Sequence, residues 1–108
     1  YKNAGPSLRL KIAIGELLNR FELQQNDVIE YKMTRIRKEY RTQLSEETHH
    51  GDREMLDLLR RMLNAANYQS DKKLVEKMQE FIEWTRKNST EDAVIIDYGN
   101  WLSAKLAK

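Results

Sequence analysis

The chain has 108 residues, 40% of them hydrophobic, which predicts one domain with one small core. Its 19 basic and 17 acidic side chains leave a formal charge of +2, a balanced surface that excludes the large basic excess of a dedicated nucleic-acid binder. Cysteine is absent, which excludes disulfides and thiolate chemistry, and no apolar run approaches the roughly 18 residues that cross a bilayer.

The chain opens on Tyr1 rather than Met, and Gly5-Pro6 punctuates its start. Residues 1–6 are therefore expected to be a disordered linker or tag remnant, and residues 7–108 a single helical-bundle domain. From Ser7 to about Gln24, Leu10, Ile14, Leu17 and Phe21 recur at helical spacing. Leu8, Ile12, Ala13 and Leu18 widen that stripe, so the first helix is expected to keep an apolar side exposed, as a homodimer would use.

Asn26 and Asp27 offer a cap for a second helix carrying Ile29, Met33, Ile36, Tyr40 and Leu44. Unbroken to Leu44, it would be about 28 Å long. Residues 45–51 are the least regular stretch, and Gly51 is expected to break helical structure. A third helix follows from Asp52 to about Ala66, with Met55, Leu59 and Met62 inward, and residues 67–69 turn the chain. Ser70-Asp71 caps a fourth helix, ending near Asn88, with Leu74, Met78, Phe81 and Ile82 inward. Residues 89–92 cap a fifth, with Ile95, Tyr98, Leu102 and Leu106. Gly99 conflicts with that helix, at a cost of roughly 1 kcal/mol. A close helix crossing or a fraying end explains it, ahead of a hinge.

Charge agrees with these boundaries. The third helix opens on Asp52, Glu54 and Asp57 and closes on Arg60 and Arg61. The fourth opens on Asp71 and closes on Arg86 and Lys87, and the fifth opens on Glu91 and Asp92 and closes on Lys105 and Lys108. Acids at the start and bases at the end complement the helix dipole, by about 0.3–1 kcal/mol each. Glu16–Arg20, Asp57–Arg61 and Glu83–Lys87 stand in the favourable i,i+4 order. The predicted fold is all-α, an up-and-down bundle of four to five helices with short connections.

Signatures of chemistry are few. His49 and His50 are the two histidines, with Glu46 and Glu47 three residues before them. Glu-x-x-His is a di-iron ligand spacing, but it needs matching motifs on separate helices, and here both overlap in one segment. The plainer account is an exposed polar loop, at most a mild pH sensor. The scattered glycines form no phosphate loop, and no strand-turn-helix nucleophile elbow is present. Asn88-Ser89-Thr90 fits the glycosylation pattern but reads as a turn and cap.

Two surfaces stand out instead. Opposite the second helix's apolar stripe lie Tyr31, Thr34, Arg35, Lys38, Arg41 and Thr42, with no acid among them and Glu30 and Glu39 on the flanks. The plainer account is a solvated face with Tyr31 over a neighbour; the functional one is a basic strip, with Lys32 beside it, that meets phosphates or an acidic partner. Trp84 lies about 120° from Met78 around its helix, and Trp101 borders Leu102. Both suit the rim of a small core, or a binding hot spot if exposed.

The expected function is a non-catalytic helical protein-protein interaction module: a regulator, adaptor, inhibitor or assembly factor. The alternative is a nucleic-acid-binding accessory protein using Tyr31, Lys32, Arg35, Lys38 and Arg41. An enzyme or metal carrier at Glu46, Glu47, His49 and His50 is a remote third. No cofactor, metal or membrane is expected. Without a visible signal peptide, the expected location is cytoplasmic or otherwise intracellular.

Overall fold

Helical periodicity becomes helix throughout the residues that the computed structural model describes, 5–65, 67–88 and 98–107. The fold is an all-α bundle, with six α-helices and no strand among those residues. The chain divides into two units, Tyr1–Leu56 and Asp57–Lys108.

In the first unit, α1 (Gly5–Glu22) and α2 (Asn26–Glu39) form a helical hairpin. Helix α1 starts earlier than expected, because Pro6 fits its first turn, where no amide proton is needed. Gly5 and Pro6 thus belong to the helix, and residues 1–4 lie outside the described ones. Leu10, Ile14, Leu17 and Leu18 of α1 and Ile29, Met33 and Ile36 of α2 are buried. Between the helices, Gln25 N donates to Arg20 O at 3.1 Å and Gln24 N to Phe21 O at 3.0 Å. This is a Schellman closure, and it puts Gln24 at φ 60°, a left-handed position that usually takes Gly.

Neither Asn26 nor Asp27 caps α2. The N-cap is Gln25, without a side-chain cap bond, because its Oε1 accepts instead from Arg20 Nη1 at 2.7 Å. Asp27 keeps an electrostatic role in the first turn.

The long second helix is two helices. Tyr40, at φ −111° and ψ 29°, leaves helical geometry, and α3 (Arg41–Ser45) follows. Hydrogen bonding carries on across the break, Tyr40 N to Ile36 O and Leu44 N to Tyr40 O, both at 2.9 Å. Leu44 stays buried, and its carbonyl accepts from Arg53 Nη1 at 2.6 Å. That tertiary bond satisfies an orphan carbonyl where α3 ends.

A 3-10 turn, Glu47–His49, leads straight into α4 (His50–Asn64). Gly51 therefore lies in the first turn of α4 and breaks nothing. Met55 and Leu56 of α4 are buried in the first unit's share of the helix, and Leu58, Leu59 and Met62 in the second's.

In the second unit, Asn67 Oδ1 accepts from Gln69 N at 3.1 Å, and a 3-10 turn (Tyr68–Ser70) reverses the chain where expected. Asp71 caps α5 (Lys72–Asn88), its Oδ1 accepting from Leu74 N at 3.2 Å. Leu74, Met78, Phe81 and Ile82 are all buried. Helix α6 (Tyr98–Leu106) packs on α5, with Tyr98 and Leu102 buried. Gly99 is buried in the first described turn of α6. The cap at residues 89–92, the stripe residue Ile95 and Ser89-Thr90 lie outside the described residues.

The expected pairs Glu16–Arg20 and Asp57–Arg61 are present at 3.5 and 2.9 Å. Glu83 instead meets Arg86, at 3.1 Å and i,i+3. Such exposed pairs add little stability.

Candidate functional site

The most concentrated polar chemistry lies in the segment read as an exposed loop. His49 is 5% exposed and Asp52 only 2%. Asp52 Oδ2 lies 2.7 Å from His49 Nδ1, and Lys11 Nζ donates to both Asp52 oxygens at 3.0 and 3.2 Å. His49 immediately precedes α4 and Asp52 is its third residue, the relative placement of a capping box. Here a side chain from α1 completes the arrangement. The exposed-loop expectation is thus overturned for His49: burial without partners would cost it several kcal/mol, and Asp52 removes that cost.

The two histidines diverge. His50 Nδ1 faces Arg53 Nη2 at 3.1 Å, and the exposed Glu46 carboxylate is 3.9 Å from His49 Nε2. Lys11 and Arg53 place fixed positive charge in the cluster, unfavourable for a cation. Among the described residues, no group of three or more His, Cys, Asp or Glu is arranged to hold a metal. The trio ties α1 to the start of α4.

The basic strip is distributed differently from a flat helix face. Tyr31, 65% exposed, carries the Arg35 guanidinium over its ring at 5.9 Å. Lys38 is exposed one turn further on. Lys32 turns toward α1, where its Nζ meets Glu16 Oε1 at 3.4 Å. Arg41 is exposed on α3, beyond the break at Tyr40. Tyr31, Arg35 and Lys38 therefore share one face, Lys32 stands beside it, held by Glu16, and Arg41 leaves it.

The first helix was expected to keep an apolar side exposed at Leu8, Ile12, Ala13 and Leu18; Leu8 and Ile12 are exposed, whereas Leu18 is buried and Ala13 half-buried. The large apolar side chains left exposed among the described residues are Leu8 (42%), Ile12 (57%), Leu23 (62%) and Tyr31 (65%). All four belong to α1, α2 or the turn between them. The Glu16–Lys32 ion pair sets the hairpin register. Turning about 100° per residue then places Ile12 of α1 and Tyr31 of α2 each opposite its own helix's buried stripe, with Leu8 on the flank of α1 away from Glu16. The excess breadth of the first helix's apolar stripe was the signal for it.

Trp84 and Trp101 are both half-buried. Trp84 stacks on Phe81 with ring centroids 5.7 Å apart and an interplanar angle of 10°. Its other neighbours in an open groove are polar residues of α5, Glu76, Gln79, Glu80, Glu83 and Lys87. Trp101 lies under Lys105 Nζ, 5.1 Å from the ring centroid, and Lys105 O accepts from Gln69 Nε2 at 2.7 Å. The two tryptophans sit on different helices, Trp84 on α5 and Trp101 on α6.

Arg37, half-buried on α2, has Nε and Nη2 buried with no hydrogen-bond partner. No helix among the described residues is long and apolar enough to cross a membrane. No protein-family model, curated protein or solved structure matches the chain.

Proposed function

We propose that the protein is a non-catalytic interaction module that binds another protein through the outer face of its α1–α2 hairpin. The observation that carries this reading is the collection of Leu8, Ile12, Leu23 and Tyr31 on that hairpin, each at least 42% exposed. Single exposed apolar residues are ordinary, whereas several together on one surface mark interfaces. Aromatic and arginine side chains are the usual anchors of such interfaces, and the stacked Tyr31–Arg35 pair supplies both.

Nucleic-acid binding is less well supported. Arg35 covers one face of the Tyr31 ring, Lys32 is held by Glu16, and Arg41 lies past the helix break. Few cations remain aligned to track a strand. The neighbouring Leu8 and Ile12 are aliphatic and offer bases no stacking platform.

The test is affinity capture from a lysate of the source cells with the whole chain and its Ile12→Ser/Tyr31→Ser variant, each with and without nuclease. Proteins retained by the parent after nuclease and lost by the variant support the reading. A catch that nuclease abolishes, or that the variant retains in full, overturns it.

A further inference from the structure

We propose that Arg37 is the receptor of an oxyanion site, its Nε–Nη2 edge taking a carboxylate or a phosphate group through two parallel hydrogen bonds. Arg37 lies about 120° around α2 from Tyr31, so the site does not depend on the hairpin face.

Arg37 sits near the end of α2, one position past the buried Ile36. Its Nε and Nη2 are both shielded from solvent, and neither has a hydrogen-bond partner. Buried polar groups are almost always paired, and a guanidinium does not escape by losing its proton. An Arg on a solvated helix surface extends its head into water. Here two donors are held inward with nothing to receive them.

The two nitrogens share one edge. In the planar guanidinium, Nε–H and the adjacent Nη2–H point the same way, and that edge matches the paired oxygens of a carboxylate or phosphate. A water satisfies one stray nitrogen, whereas two parallel donors on a fixed cation select an anion.

Among the described residues no carboxylate reaches this edge. One helical turn to either side of Arg37 stand Met33, Thr34, Tyr40 and Arg41, none of them acidic. Glu39 points to the far side of α2, and Glu30 is about 10 Å back along the axis. Glu16 is held by Arg20 and Lys32, and Asp52 by Lys11 and His49. Residue 37 as a whole is half-buried, so its guanidinium lies close beneath the surface, within reach of an anion from solvent.

The probes are sodium phosphate and, separately, sodium acetate, added to the full chain at constant pH and ionic strength against sodium chloride. The readout is the Arg37 Nε–H cross-peak in nitrogen–proton correlation spectra, assigned by its absence from Arg37→Lys. We expect it to move saturably with phosphate, acetate or both, while the cross-peaks of the exposed Arg35 and Arg60 follow the chloride control. The melting temperature should rise with the same midpoint, by roughly 5 °C at ten times the midpoint concentration. Phosphate also stabilises proteins through exclusion from their surface, so this rise is read against Arg37→Met, which should lack it. Arg37→Lys keeps the charge and loses the paired donors, and should need at least tenfold more anion for the same rise.

A response to phosphate alone assigns the site to phosphate esters, and a response to acetate alone to carboxylates; either supports the proposal. No saturable movement with either anion overturns it, as does equal movement with chloride. A melting response that Arg37→Met retains in full overturns it as well.

Discussion

Replacing Asp52 with Ala tests whether the Lys11–Asp52–His49 trio holds the first unit together. The carboxylate is 2% exposed and accepts from His49 at 2.7 Å and from Lys11 at 3.0 and 3.2 Å. Removing one partner of a buried pair costs about 3–5 kcal/mol, because the other is left uncompensated. The Lys11 side chain is 23% exposed and recovers some hydration, so we expect the lower end, about 3 kcal/mol. The whole domain has a stability of roughly 5–15 kcal/mol, so this is a large share. In urea, with a slope of about 2 kcal/mol per molar, the midpoint should fall by about 1.5 M. Lys11→Met in the same series should show coupling to Asp52→Ala of at least about 1 kcal/mol. The rival account is that Asp52 is merely a first-turn acid on the α4 dipole, worth about 0.3–1 kcal/mol. A loss within that range, with no coupling to Lys11, would refute the network.

Further substitutions probe other elements. Gln24→Gly should stabilise by about 0.5–1 kcal/mol, since φ 60° is strained for Gln and free for Gly; an unchanged or lower urea midpoint contradicts the turn geometry. Asp71→Ala should cost about 1 kcal/mol through loss of the bond from Leu74 N, and Asp71→Ser should restore much of it. Arg37→Met should be neutral or stabilising, because two buried guanidinium nitrogens have no partner to lose; destabilisation beyond about 1 kcal/mol would show that the charge matters to the fold.

The all-α class, the turn at residues 67–69 and the Asp71 cap were legible because each depends on neighbours within a few residues. In α5, Leu74, Met78, Phe81 and Ile82 were read as the inner stripe and all four are buried. Helical spacing states which residues share a face, and burying that face is what makes the helix stable. Of the proposed surface, the exposure of Tyr31, Arg35 and Lys38 followed from their place opposite the buried stripe, and the breadth of the first helix's apolar stripe already pointed to Leu8 and Ile12.

What tertiary structure decided lies between residues far apart in the chain. Lys11 and Asp52 are 41 positions apart, so no local pattern shows that His49 is buried rather than looped out. The break at Tyr40 was illegible because its apolar spacing is intact; Arg53 completes the end of α3 from another helix. That Lys32, beside the basic strip, is held by Glu16 of α1 is likewise decided between helices. Sequence periodicity determines that helices form and which side of each turns inward, since both are set within a turn or two. Which helix lies alongside which, and so which charges are consumed and which apolar residues stay exposed, depends on packing between distant segments.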